Sequence, residues 1–257
     1  TIFDDGIFKG LVMFIDIKGF KVVEETQDTT TIKVGAGEDW DELVAKTVDM
    51  GLAGMEALSG IPGKTGATPY QNIGAYGQEV KDTIESVEVF DTTDNQVKLL
   101  TNQECQFGYR DSIFKSSQKN RYIITAVSFK LSKKPAIMPN YKDVQKYFEK
   151  SGVSSPTALQ IREAVLEIRK NKFVDPSFMP NSGSFFKNPE VSKSKAEMLM
   201  SKFPEVKPYP QDNKIFPLEN GNYKIAAGWL IQELGFKGKD FGSVRVDPNH
   251  ALVLENK

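Results

Sequence analysis

The run SGIPGKTGATPYQNIGAYG, residues 59–77, sets five glycines beside two prolines and the amide side chains of Gln71 and Asn72. Gly60, Gly63, Gly66, Gly74 and Gly77 permit close backbone approach and positive φ, while Pro62 and Pro69 fix their own φ. Backbone N–H groups aimed into such a loop hold anionic oxygens. A plain surface loop would be more polar and less rigid, so the composition describes backbone shaped around a ligand. Most glycine clusters are simple turns, and the meaning of this one depends on its surroundings.

Upstream, VGAGEDWDELVAKTVDMG (34–51) passes from a strand through a Gly35/Gly37 turn into a helix. Trp40, Leu43, Val44, Thr47 and Val48 fall near a 3.6 period and Gly51 closes the end. The turn is not a Rossmann fingerprint, because Trp40 stands where a third glycine is required. Before it, LVMFIDI (11–17), FKVVEE (20–25) and TTTIKV (29–34) predict a strand meander. Downstream, IESVEVFD (84–91) and QVKLL (96–100) alternate as a hairpin, and RYIITAVSFKL (121–131) predicts a buried strand. The polar, proline-interrupted LSKKPAIMPNY (131–141) marks a domain boundary, giving domains 1–133 and 134–257.

The second domain opens with two helical stretches. In the clearer one, 157–170, Ala158, Ile161, Val165 and Ile168 make an apolar stripe, and Arg162, Glu163, Glu167 and Arg169 cover the other face. A loop through Asp175, Pro176 and Pro180 leads to GSFFKNP (183–189). Helices follow near 193–203 and 223–234, with strands at 242–246 and 251–254. Both halves are α+β.

With 257 residues, 39% hydrophobic and 26% charged, the chain has the composition of a globular protein of one large or two modest domains. A net charge of -1 gives no basic stripe for a nucleic acid. Cys105 stands alone, which excludes an intramolecular disulfide and reads as a small buried hydrophobe. His250 is the only histidine, so no His or Cys cluster offers a metal site. No apolar run has membrane-spanning length.

After the glycine-rich run come YRDSIFK (109–115), GSFFKNP and AAGWLI (226–231), in that order. From Val34 onward this set resembles the UDP-N-acetylenolpyruvoylglucosamine reductase family, also called UDP-N-acetylmuramate dehydrogenases. The resemblance implies an α+β fold: an FAD-binding domain of the vanillyl-alcohol-oxidase/PCMH-like type, without its N-terminal part, then an α+β substrate-binding domain. It implies FAD and NADPH as cofactors, a UDP-sugar substrate, no obligatory protein partner and a cytoplasmic location. The implied reaction reduces UDP-N-acetylglucosamine enolpyruvate to UDP-N-acetylmuramate for peptidoglycan synthesis, with hydride from flavin N5 to C3 and a proton to C2. No side chain supplies hydride, so a redox cofactor is obligatory for such chemistry.

Residue by residue, the resemblance makes Ser184 the acid that protonates C2 and Arg110 the partner of the substrate carboxylate. Flavin contacts are implied at Ser59, Gly60, Ile61, Pro62, Gly63, Thr65, Gly66, Asn72, Ile73, Gly74, Ala75 and Tyr76, with Ile124 against the ring system. Substrate contacts are implied at Tyr109, Tyr141, Lys172, Asn188, Tyr209 and His250. PYPQ (208–211) points to the subgroup in which a tyrosine-bearing loop closes over the UDP diphosphate. His250 stands where some relatives carry glutamine.

Plainer readings accompany these. Ser184 beside Gly183 is ordinary turn chemistry, and Arg110 is placed for a surface salt bridge to Asp111. Lys172 suits a helix C-terminus and Asn188 a cap on the next helix. Relatives carry an N-terminal glycine-rich loop that grips the FAD pyrophosphate, and a C-terminal segment with a catalytic glutamate. This chain shows neither, so poor FAD binding and slow turnover are expected of it. The competing readings are another flavin oxidoreductase of the same fold, or a noncatalytic UDP-sugar-binding fragment.

Overall fold

A computed structural model describes residues 6–172 and 178–257; the expected loop positions Asp175 and Pro176 lie outside them. Two compact units divide the chain, Gly10–Arg169 and Lys170–Lys257, the latter taken with Thr1–Lys9. The first unit therefore runs past the expected 133/134 boundary and takes in both helices that follow it.

The first unit is built on a five-stranded antiparallel sheet. Its strands are β1 (Phe20–Glu25), β2 (Thr29–Gly35), β5 (Ile84–Asp91), β6 (Gln96–Thr101) and β7 (Tyr122–Ser132), in the order β1-β2-β7-β5-β6. The minor hairpin between them is β3 (Gly74–Ala75) with β4 (Gln78–Glu79). Alternation in β2, β5 and β7 places Ile32, Val34, Val87, Val89, Val127 and Phe129 in one core. Helix α1 (Trp40–Asp49) covers it with Trp40, Leu43, Val44, Thr47 and Val48. Asp39 starts α1 by accepting the Asp41 and Glu42 N–H groups, at 3.1 and 3.3 Å.

The expected strand at 11–17 does not form. Its backbone instead crosses the end of β2, where Gly37 N–H donates to Ile17 O at 2.9 Å, beside a bond from Gly35 N–H to Gly19 O at 2.8 Å. A side chain on Gly35 would collide with the Ile17 carbonyl, so glycine there permits this crossing.

Helices α2 (Lys142–Ser151) and α3 (Ala158–Lys172) follow. Val144, Phe148, Ile161, Ala164 and Val165 share a second core with Ala57 and Tyr76 from the ends of the glycine-rich region.

The second unit holds two small antiparallel sheets. One orders β12 (Val244–Val246), β13 (Val253–Asn256) and β8 (Asn181–Ser184); the other orders β10 (Ile215–Pro217), β11 (Tyr223–Ile225) and β9 (Glu190–Val191). Helices α4 (Lys193–Lys202) and α5 (Ala227–Glu233) pack with them, and Val206, Ile215, Ile225 and Trp229 form the core. The helix expected over 223–234 is thus divided. Residues 223–225 pair with β10, and Ile225 is buried by that pairing, before α5 begins at Ala227. Pro180 lies outside any helix or strand, as expected of the loop, and β8 begins directly after it and takes in the first two residues of GSFFKNP.

Candidate functional site

The glycine-rich loop is braced from both sides. On one arm Trp40 Nε1 donates to Leu58 O at 3.0 Å, and Gly60 N–H donates to Asp41 Oδ1 at 2.6 Å. On the other, Thr65 N–H reaches Glu38 O at 2.8 Å and Gly66 N–H reaches Ala36 O at 2.9 Å. A Cβ on Gly66 would lie 2.5 Å from that of Ala36, so only glycine lets the loop seat on the Gly35/Gly37 turn. Glu56, buried at the loop's entrance, accepts Gly54 N–H at 2.6 Å and Gln78 Nε2 at 2.8 Å. Gln78 Oε1 in turn accepts Ala57 N–H at 2.8 Å. Sequence reading passed over Glu56 and Gln78; an acid flanked by apolar residues, MEAL (55–58), was the available signal.

Among the expected flavin contacts, the Ser59, Thr65 and Asn72 side chains are fully buried and bonded to protein. What they present outward is backbone. Ile61, Gly63 and Lys64 N–H groups donate to no protein acceptor among the described residues. Gly63, at φ +134°, has nothing within 4 Å of where a Cβ would stand. Unspent amides along open backbone fit the anionic and carbonyl oxygens that FAD presents.

The loop's far arm turns at Asn72 and Tyr76, both at positive φ. Asn72 Nδ2 donates to Gly108 O at 2.9 Å and to Glu79 Oε2 at 3.1 Å, and its Oδ1 accepts Lys81 N–H at 3.1 Å. Arg110 lodges here. Its guanidinium donates to Gly74 O and, at 3.4 Å, to Asn72 O, and lies 3.6 Å from Glu79 Oε1. No salt bridge to Asp111 is found among the described residues: Arg110 sits at φ +53° with its guanidinium on the Gly74 and Asn72 carbonyls, while Asp111 Oδ1 accepts Ser112 N–H at 2.9 Å. The Tyr109 ring lies 5.3 Å from the guanidinium. Tyr141, just before α2, sets its ring against Tyr76 at 5.2 Å, edge to face. Ile73, Ala75 and Ile124 are partly buried against the sheet core. The structure thus gathers Arg110, Tyr109 and Tyr141 around the far arm of the glycine-rich loop.

In the second unit Ser184 closes β8, exposed and opposite Val253 of β13. Gly183 turns the strand at φ +60°, and Ser182 Oγ accepts Leu254 N–H at 3.2 Å. His250 precedes the same strand: its N–H donates to Asp247 Oδ1 at 2.7 Å, and its carbonyl accepts Val253 N–H at 2.9 Å. Burial, then the positive charge of Lys172 at the end of α3, hold the His250 imidazole below its ordinary pKa against the pull of Asp247. Lys172, Ser184 and His250 thereby belong to the same unit. Asn188 is a cap, on a different helix from the expected one. Its Oδ1 accepts Ala227 N–H at 2.9 Å and caps α5, while Ser192 caps α4. Tyr209 is half-exposed, 5.5 Å from the Phe216 ring.

Comparison with known proteins decides the family. Residues 175–257 match the model for the C-terminal domain of UDP-N-acetylenolpyruvoylglucosamine reductase, and residues 3–100 match an FAD binding domain. The UDP-N-acetylenolpyruvoylglucosamine reductase of Flavobacterium johnsoniae is 44% identical over 247 residues, 96% of this chain and 71% of its own length. This chain belongs to the UDP-N-acetylenolpyruvoylglucosamine reductase family. The reductase of Neisseria gonorrhoeae is 43% identical, covering 97% of this chain and 70% of itself. Among solved structures, that of the Thermus caldophilus reductase aligns with a TM-score of 0.56 at 25% identity, over 87% of this chain and 61% of that one. The chain therefore spans about seven-tenths of these curated reductases and less than two thirds of the solved one. The α+β fold with an FAD binding domain agrees with the sequence expectation.

Among the described residues no helix is long and apolar enough to cross a membrane, and no group of three His, Cys, Asp or Glu is arranged to hold a metal. Cys105 is buried, and burial followed by the Glu104 charge pushes its thiol up to about 12.

Proposed function

We propose that this chain carries the flavin-holding and proton-donating parts of an NADPH-driven reductase converting UDP-N-acetylglucosamine enolpyruvate to UDP-N-acetylmuramate. Residues 1–133 with the glycine-rich loop serve the cofactor, and 134–257 serve the UDP-sugar. Bound FAD supplies the hydride chemistry. The observation that carries the reading is the anion-ready loop, with its Ile61, Gly63 and Lys64 amides unspent.

Each residue then has a task. Ser184 Oγ–H delivers the proton to C2 of the enolpyruvyl group, and its position is set by Gly183 and the β13 pairing. Arg110 uses the exposed part of its fork to hold the substrate carboxylate, where negative charge grows as the double bond is reduced. Lys172 offers a positive charge to phosphate or carboxylate oxygens, with Asn188 and His250 as hydrogen-bond partners. Tyr141 and Tyr209 close on the UDP diphosphate.

Ser184→Ala separates the half-reactions. Flavin bleaching by NADPH is expected at the parental rate, while reoxidation by the enolpyruvyl substrate slows by about 10²-fold or more, the usual contribution of a positioned acid. Reoxidation at the parental rate in this variant would remove Ser184 from the mechanism. Substrate that never recovers the flavin of the parent chain would favour another flavin oxidoreductase.

A further inference from the structure

Arg162 was expected on the solvent face of α3. Its side chain is instead only 13% exposed and forks onto a carboxylate far back in the chain. Nη1 lies 2.6 Å from Asp41 Oδ1, and Nη2 lies 2.9 Å from Oδ2, the two-pronged geometry that suits guanidinium and carboxylate. Asp41 Oδ1 simultaneously accepts the Gly60 N–H at 2.6 Å. One carboxylate thus joins three elements: α1, which carries it, α3, which pins it, and the glycine-rich loop, at the positive-φ residue near its start.

The consequence lies one step along the chain. Gly60 is held at φ +70°, and a Cβ there would meet Arg169 Nε at 2.9 Å and Leu166 Cδ2 at 3.0 Å, so a larger residue would be strained and would press on the side chains of α3. With its N–H spent on Asp41, Gly60 turns the backbone so that the Ile61, Gly63 and Lys64 N–H groups remain available outward. Trp40, beside Asp41, fixes the preceding carbonyl of Leu58. Burial raises the Asp41 pKa, but the Arg162 and Gly60 hydrogen bonds outweigh it and hold the group low, so the carboxylate remains charged near neutral pH. The ion pair is partly withdrawn from water, where such pairs act on geometry more than a surface pair does.

We propose that Asp41 and Arg162 are positioning residues for flavin binding: their ion pair clamps Gly60 and thereby orders the loop amides before the ligand arrives. This rests on the reading of residues 59–66 as a cofactor loop. Neither side chain touches the ligand. Their effect is preorganisation, which raises affinity by lowering the entropy the loop must give up on binding.

The full chain is titrated with FAD by flavin fluorescence, and amide exchange is followed at Gly60 and across β2, β5 and β7, for the parent and for Arg162→Met, Arg162→Lys, Asp41→Asn and the double variant D41N/R162M. The expected result is about tenfold weaker FAD binding in Arg162→Met, equivalent to about 1.4 kcal/mol. Gly60 exchange accelerates by a similar factor while exchange in the sheet strands is unchanged. Arg162→Lys recovers part of both effects. The double variant is no weaker than Arg162→Met, as coupling through one pair requires. Affinity within twofold of the parent in both single variants overturns the proposal. So does exchange that accelerates equally in Gly60 and the sheet, since that is loss of stability alone. A parent chain that takes no FAD overturns the flavin reading instead, and Gly60 exchange by itself then decides whether the clamp exists.

Discussion

His250 shows how a single residue reports on its surroundings. Its burial and the charge of Lys172 disfavour the protonated ring in the folded chain. The unfolded chain takes up a proton near roughly pH 6.5, and the folded chain resists until lower pH. Stability from this group is therefore complete above the unfolded value and is lost as pH falls through the folded one. It is the only histidine, so the window between the histidine and carboxylate ranges belongs to it. The urea midpoint should fall between roughly pH 7.5 and 5, and His250→Gln should flatten that fall. An equal slope in the variant would assign the dependence to other groups. The chemistry of this position was legible in the sequence only as a residue standing where relatives carry glutamine. Its depressed basicity was not, because Lys172 lies far away along the chain and comes near through folding.

The elements divide along the same line. α1 was readable because its signals are local: Trp40, Leu43, Val44, Thr47 and Val48 at helical spacing and Gly51 after them. The glycine-rich loop was readable for the same reason. What escaped were features that depend on distant partners. The short strand β11 carries too few residues for a period to show, and its pairing with β10 decides it. Likewise Arg162 occupies the polar face of α3 by pattern, and its burial follows from Asp41, 121 positions earlier. For Asn188 a cap on the next helix was the plainer alternative to a substrate contact, and the helix whose N–H it accepts begins 39 positions later. That contact is the main N-terminal support of α5, whose own preceding residue is Ala226. Asn188→Ala should lower stability by about 1 kcal/mol, the usual loss for a cap. Chemical denaturation measures it. A change within a few tenths would mean that water replaces the amide at Ala227, leaving Asn188 free for a substrate role alone.

For the molecule as a whole, charge balance and exposed apolar surface act together. The 33 basic and 34 acidic residues nearly cancel, and the sequence pI is about 6.0. Near that pH little net repulsion separates copies of the chain. Meanwhile Leu11 and Phe14 are 82% and 75% exposed, with Val12 and Met13 exposed between them. A contiguous apolar stretch of this kind associates when charge no longer opposes it. Solubility should therefore pass through a minimum near about pH 6 and recover toward about pH 8. The double substitution Leu11→Glu and Phe14→Glu changes both terms, lowering net charge by two and breaking the apolar run. Two glutamates placed instead at exposed polar sites, Gln27→Glu and Gln103→Glu, change charge alone. If the apolar run drives association, static light scattering at about pH 6 should show aggregates in the parent and in the charge control, and monodisperse chain in the Leu11/Phe14 variant. Equal rescue by the two variants would assign the minimum to charge balance and leave the apolar stretch without a part in it.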